Sequence, residues 1–278
     1  MTIIAGKTVL ITGMSRGIGV FIARELAKKE ATIVGVSRGQ EGLDQICAEI
    51  NAMGIKGIGI SFDISKVEQL STLVEEIEEL VGSVDILINN AGIEIYRAFP
   101  DYSLADMQSV LSINLLAAME LTRLVLPNML SQGSGHIVNI ASLAAKKGHP
   151  YDSIYSASKA GLLMWANALR QELAGTGTSI STICPGYISN CGMLADTGIP
   201  APTLAGISEA EDVAKAVIQA IEKQQVEVIV NGNTIMQNFT KLLLATEQLF
   251  PQLGDAVNQC LGINRLNQMR IKSGKRGY

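Results

Sequence analysis

The sequence predicts an α/β chain: a doubly wound parallel sheet of about seven strands, helices on both faces, and a C-terminal helical extension. Three observations predict it. Short β-branched runs alternate with amphipathic helical stretches from about residue 7 to residue 231, and such alternation makes right-handed βαβ crossovers that cover both faces of a sheet. The first of these runs empties into a glycine-rich turn that opens a helix. The 278 residues are 47% hydrophobic, enough for a sizeable core in one unit.

The elements follow in order. Strands are expected near 7–11, 32–36, 57–61, 84–89, 135–140, 178–184 and 226–231, where Val, Ile and Thr cluster between turn residues. Helices are expected near 17–29, 40–53, 66–81, 104–130, 153–174 and 209–223, where apolar residues recur at helical spacing. No linker or internal repeat interrupts residues 1–232, taken as the catalytic domain. Residues 187–207 differ in texture: Gly192, Gly198, Pro200, Pro202 and Gly206 suit a mobile loop. Residues 233–278 are read as an extension of the same domain. Ile235, Met236, Phe239, Leu242, Leu243, Leu249 and Phe250 recur at helical spacing, and Arg265, Arg270, Lys272, Lys275 and Arg276 follow with no acid after Asp255. Two readings stay open: a packed helix with a solvated basic tail, or an amphipathic segment beside the substrate entrance or on an anionic membrane surface.

Bulk properties exclude several classes. A net charge of −4 and a pI near 5.3 argue against a general nucleic-acid binder. No run of 18 apolar residues predicts a membrane-spanning helix. The N-terminus lacks a charged region followed by an apolar stretch. Cys47, Cys184, Cys191 and Cys260 form no C-x-x-C pair, and only His136 and His149 could join them as imidazole ligands. These are expected to be reduced thiols of a cytoplasmic protein, with no metal site.

The chemistry concentrates at a few positions. Tyr155 and Lys159 stand four residues apart, so a helix places both on one face. A cation beside a phenol favours its ionised form and makes the hydroxyl a usable proton donor or acceptor near neutral pH. Ser142, thirteen residues upstream of Tyr155, could polarise a carbonyl oxygen. Thr12-Gly13-Met14-Ser15-Arg16-Gly17-Ile18-Gly19 links a strand to a helix. Its glycines permit a tight turn and close approach to a pyrophosphate, and the helix start offers N–H groups to an anion. Two further segments lie at carboxyl ends of strands, Asn89-Asn90-Ala91-Gly92 and Pro185-Gly186. Ser37-Arg38 ends the second strand with no acid before Glu41. An acid there would hold the ribose of NAD, whereas an arginine can hold a 2′-phosphate.

In these motifs the chain resembles the short-chain dehydrogenase/reductases, in their compact single-domain branch, over about residues 5 to 232. The resemblance implies a Rossmann-like fold and a nicotinamide-dependent oxidoreductase acting on a carbonyl or secondary alcohol. It implies a catalytic set of Asn114, Ser142, Tyr155 and Lys159. Ser142 would bind the carbonyl oxygen and Tyr155 would exchange its proton. Lys159 would lower the Tyr155 pKa and hold the ribose, and Asn114 would connect Lys159 to water. The cofactor would meet Gly13, Ser15, Gly17, Ile18 and Gly19 at the pyrophosphate, and Ser37 and Arg38 at the ribose phosphate, which Arg16 of the glycine turn would also reach. Asp63 and Ile64 would meet the adenine, and Asn90, Ala91 and Gly92 its ribose. Tyr155, Lys159, Pro185, Gly186 and Ile188 would surround the nicotinamide half. Asp63 also fits an N-cap, and Asn114 an ordinary helical position. Where the family often carries a threonine after the Pro-Gly turn, this chain has only Ser189.

NADP(H) is expected over NAD(H), and the substrate is expected to be a small, apolar carbonyl or alcohol compound. A 3-oxoacyl-carrier-protein reductase, with Arg97, Lys146 and Lys147 as docking cations, and a non-catalytic NADP(H) sensor or scaffold remain as alternatives. A homodimer or homotetramer is expected through helices 104–130 and 153–174, with Leu121, Leu124, Val125, Leu162, Leu163 and Trp165 as candidate contacts. Peripheral membrane contact through the extension is the remaining partner expectation.

Overall fold

A computed structural model describes residues 2–202 and 205–274. The elements run β1 (Thr8–Thr12), α1 (Ile18–Ala27), β2 (Thr32–Ser37), α2 (Gln40–Ala52), β3 (Gly57–Ser61), α3 (Leu70–Val81) and β4 (Ile86–Asn89). Then come α4 (Leu104–Leu111), α5 (Ala117–Ser131), β5 (Gly135–Ile140), α6 (Ser153–Glu172), β6 (Thr178–Pro185), β7 (Tyr187–Ile188) and α7 (Gly192–Thr197). The chain finishes with β8 (Ile207–Ser208), α8 (Ala210–Lys223), β9 (Glu227–Val230), α9 (Thr234–Leu249), α10 (Pro251–Cys260) and α11 (Ile263–Ser273).

Seven strands form one parallel sheet in the order β3-β2-β1-β4-β5-β6-β9. Successive strand residues point to opposite faces, so β1 sends Val9 and Ile11 one way and Leu10 the other. On the first face Val9, Ile11 and Ile33 pack with Ile22 and Leu26 of α1, Leu43 and Ile46 of α2, and Val213 and Val217 of α8. On the second, Leu10, Val34 and Leu87 pack with Leu73 and Ile77 of α3, Leu121 and Val125 of α5, and Ala166 of α6. The strands are buried on both sides, which is why they read as nearly continuous apolar runs. The order of strand addition reverses between β1 and β4, and in such sheets a ligand crevice opens beyond the carboxyl ends at that point.

Two regions depart from the sequence reading. Helix 104–130 is continuous but not uniform: Ser112–Leu116 forms a π-helical turn between α4 and α5. The combined helix Leu104–Ser131 is long and apolar enough to cross a membrane by length and composition, but its residues Val110, Ala117, Leu121 and Val125 are consumed by the protein core. The segment 187–207 is not a bare loop, since β7 pairs with β8 and α7 lies between them.

The extension departs further. Arg265, Arg270 and Lys272 lie in α11 rather than in a bare tail; Arg265 and Lys272 are exposed as a solvated stretch would be, but Arg270 is among the largest fully buried side chains, at 1% exposure. Its helix is anchored, because Asn267 Nδ2 donates to the Pro150 carbonyl (2.7 Å) and Arg270 donates to the Pro200 carbonyl (3.1 Å). Lys275 and Arg276 lie outside the described residues. Met236 and Leu243 of α9 face a cavity, while Ile235, Leu242 and Leu249 are exposed, so the apolar stripe serves two surfaces.

Candidate active site

A cavity of about 790 Å³ runs along the carboxyl ends of the strands. Its floor is set by β1 and β4. Thr12 Oγ1 accepts the N–H groups of Asn90 and Ala91 (3.1 Å each), and Asn90 Nδ2 donates to the carbonyls of Thr12 (3.0 Å) and Gly13 (3.1 Å). The two strand ends are thus tied together beneath the glycine turn. Gly13 has φ +74°, and a Cβ on Gly19 would lie 2.1 Å from the Gly13 carbonyl oxygen, so the turn closes only with hydrogen at both positions. No side chain caps the start of α1, which leaves its N–H groups to an anion.

Gly13, Ser15, Arg16, Gly17, Ile18, Ser37, Arg38, Asp63, Ile64, Asn90, Ala91, Gly92, Pro185, Gly186 and Ile188 all line this cavity, with Ser142, Tyr155 and Lys159. Gly19 stands behind the turn as its packing residue. An elongated groove with a bare helix start at one end and Tyr155–Lys159 at the other fits a dinucleotide. The individual contacts are less simple. Arg16 is hydrogen-bonded to Asp196 of α7, tying the glycine turn to the covering segment. Asp63 Oδ1 accepts the Ser65 N–H at 3.0 Å, closing a turn that stands ahead of the next helix. Ser37 Oγ accepts the Ser15 N–H at 3.1 Å and so holds the turn against the end of β2. Ser189 is exposed and does not line the cavity, so it does not replace the family threonine here.

At the chemical end, α6 carries Tyr155 and Lys159 on its inner face and Leu162 and Ala166 into the core. Lys159 Nζ donates to the Ile140 carbonyl at 2.8 Å and stands 5.7 Å from the Tyr155 ring centroid. Ser142 stands close enough to Tyr155 to oppose the rise of its pKa, and Ser142 Oγ accepts the Ala144 N–H at 3.1 Å. The π-helical turn aims Asn114 inward: its amide brackets the Ile93 backbone (2.8 and 2.9 Å) and donates to Ser158 Oγ (3.0 Å). Asn114 and Lys159 converge on one spot, since a Cβ on Gly92 would meet Asn114 Oδ1 at 3.3 Å and Lys159 Nζ at 3.4 Å. Short π-helical insertions recur at functional sites because they turn one side chain out of helical register.

The electrostatics correct one expectation. Burial, followed by Glu94 and Asp152, pushes the Tyr155 phenol well above its ordinary range, and Lys159 does not reverse this. Burial also lowers Lys159 to about 8. The phenol is therefore held protonated, the form that donates.

Glu94 and Asp152 did not stand out in the sequence, nor did Tyr96, His149, Tyr187 or Arg270. Glu94, two residues beyond the Asn-Ala-Gly segment, was the one with a signal of position. His149 stacks on Tyr187 with ring centroids 6.4 Å apart, and burial holds its imidazole down to about 4, neutral at physiological pH.

The family model for the short chain dehydrogenases matches residues 7–199. This chain belongs to the short-chain dehydrogenase family. As such it is an NAD(P)-dependent oxidoreductase acting on C=O or CH–OH groups. The ketoacyl reductase HetN of Nostoc sp. is 56% identical over 279 residues, covering 100% of this chain and 97% of that one. The 3-oxoacyl-[acyl-carrier-protein] reductase FabG of Haemophilus influenzae is 34% identical over 76% of this chain and 89% of its own. A metagenomic short-chain oxidoreductase solved in complex with NADP superposes with a TM-score of 0.72 at 29% identity, over 82% of this chain and 98% of that one. In this chain α9 and the residues that follow it, including Met236, Leu243, Val257, Leu261 and Ile263, border the cavity.

Proposed function

We propose that this chain is an NADP(H)-dependent reductase of a carbonyl on an apolar, acyl-chain-like substrate. The observation that carries the reading is the cavity beyond Tyr155. Ile93, Leu143, Met193, Leu194, Leu243 and Leu261 line it, drawn from the strand ends, the covering segment and the C-terminal extension. Burying such walls against water costs least when an apolar chain replaces the water. When bound, the nicotinamide supplies the hydride. Ser142 donates a hydrogen bond to the carbonyl oxygen, and Tyr155 delivers the proton to that oxygen. Lys159 holds the ribose hydroxyls, and Asn114 keeps the Ile93 backbone and α6 in register beside it. The protonated phenol supports the reducing direction.

The end of β2 supports the cofactor choice. Ser37 and Arg38 border the cavity with no acidic neighbour on the strand, so a 2′-phosphate meets a guanidinium rather than a carboxylate. The relatives named ketoacyl reductases support a 3-oxoacyl group. Docking of an acyl carrier on Arg97, Lys146 and Lys147 is less supported, because each already pairs with an acid: Asp106 (2.9 Å), Glu227 (2.6 Å) and Asp255 (2.7 Å). Peripheral contact with a bilayer draws support from α9, where Phe239 borders the cavity and yet is exposed, beside exposed Ile235 and Leu242.

Separate titrations with NADPH and NADH, followed by nicotinamide fluorescence, test the cofactor. A series of 3-oxo esters of increasing chain length then tests turnover. NADPH should bind more tightly, activity should rise with chain length, and Tyr155→Phe should cut kcat by about 10²–10⁴ while leaving NADPH affinity intact. Tight binding without turnover on any ketone, aldehyde or acyl thioester would instead identify a cofactor sensor.

A further inference from the structure

Behind the reacting end of the cavity lies a buried polar group that takes no direct part in the proton or hydride transfer. Glu94 borders the cavity at 9% exposure, and Asp152, at 1%, hydrogen-bonds its carboxyl from the start of α6. Neither carboxylate can donate, so a hydrogen bond between them requires a proton on one. No N–H or hydroxyl among the described residues donates to either Asp152 oxygen. The Tyr96 hydroxyl also meets Glu94. Arg270 comes from α11, more than a hundred residues away in sequence, and is 1% exposed. Its guanidinium packs over the rings of Tyr96 (5.3 Å) and Tyr187 (5.8 Å), is bonded to Asn267 and the Pro200 carbonyl, and leaves Nε without a partner. It is the cation whose charge acts most strongly on Glu94.

The charges balance within this group. Two carboxyls sharing one proton carry a single negative charge, and Arg270 carries a single positive one. An anionic substrate group would face the carboxylate, and a cationic one would compete with Arg270. A hydrocarbon would strip water from Glu94 and give nothing back, which is costly for a buried polar group. A neutral group that both donates and accepts a hydrogen bond meets none of these penalties.

We propose that Glu94, hydrogen-bonded by Asp152 and balanced by the charge of Arg270, is a second substrate anchor, which takes a neutral donor–acceptor group such as an amide or hydroxyl carried on the apolar substrate. Glu94 is then a specificity-determining residue. Asp152 and Arg270 are positioning residues that act through it. The anchor rests on the reductase reading only for the direction in which the substrate lies, and it makes the C-terminal extension part of the recognition site.

The test uses two ligands that cannot be reduced and differ by one N–H. The full-length NADPH complex is titrated calorimetrically with N-methylhexanamide and with methyl hexanoate. The amide is expected to bind on the order of tenfold more tightly, as one hydrogen bond to a charged acceptor implies. Glu94→Leu should abolish that preference and Arg270→Ala should weaken it, whereas Tyr155→Phe should retain it. Equal affinity in the unaltered protein, including no affinity for either ligand, overturns the anchor without relying on any variant. So does a preference that survives in Glu94→Leu. The reductase reading fails on a different result, the absence of NADPH consumption with every ketone tried, so the two are separable.

Discussion

Lys159 is where residue-level electrostatics meets cofactor binding. The side chain is 3% exposed, and among the described residues its ammonium has one hydrogen-bond acceptor, the Ile140 carbonyl. Burial lowers its pKa to about 8, so its charge is present below that value and lost as pH rises through it. NADPH affinity is therefore expected to fall several-fold between pH 7 and pH 9.5. Lys159→Met should bind weakly and without that pH dependence, as fluorescence titration across the range would show. An unaltered protein with a flat profile would mean that bound ribose hydroxyls, rather than the lysine charge, dominate. The Tyr155–Lys159 relation was legible because helical geometry alone puts positions four apart on one face. The direction of the Tyr155 pKa was not legible, since it depends first on burial and then on Glu94 and Asp152, all of which only folding supplies.

Among the elements, the β1–α1 turn and the π-helical turn make opposite demands on the sequence. The first is written in glycines: a Cβ on Gly19 would stand 2.1 Å from a backbone oxygen that cannot move aside. Gly19→Ala is expected to lower the melting temperature, in line with an overpacking cost of about 1–3 kcal/mol, and to weaken NADPH at least about tenfold. Calorimetry and fluorescence titration measure the two effects, and an unchanged cofactor affinity would show that the turn tolerates widening. The second element has no such signature. Ser112-Ile113-Asn114-Leu115-Leu116 reads as ordinary helix, and its widened turn goes with the Asn114 contacts to Ile93 and Ser158, from distant parts of the chain. Helix 153–174 was likewise readable as a helix, but which of its residues face outward was not.

For the whole molecule, that question of facing bears on assembly. Leu121, Val125 and Leu162, anticipated as contacts between copies, are buried in their own domain, while Leu124, Leu163 and Trp165 are partly buried against its cores. The apolar surface on α4–α6 belongs instead to Leu104 (66% exposed), Leu111, Leu116 and Met164 (69%). We expect at least a dimer through these helices. Light scattering at micromolar concentration should return twice the 29.6 kDa chain mass or more, and Leu116→Lys with Met164→Lys should lower it toward one chain. A monomer mass for the unaltered chain would overturn this. The sequence by itself determined the alternation of strands and helices, the glycine turn, and the Tyr155–Lys159 pair, because each depends on local geometry that a few neighbouring residues impose. Only the tertiary structure decided the fate of the C-terminal extension. A basic, acid-free stretch reads as solvated, yet Arg270 is buried between Tyr96 and Tyr187, near a carboxyl pair whose members lie far away in sequence. A charge is buried only where the fold supplies its counter-charge, and that supply comes from the assembled domain rather than from the residues beside it.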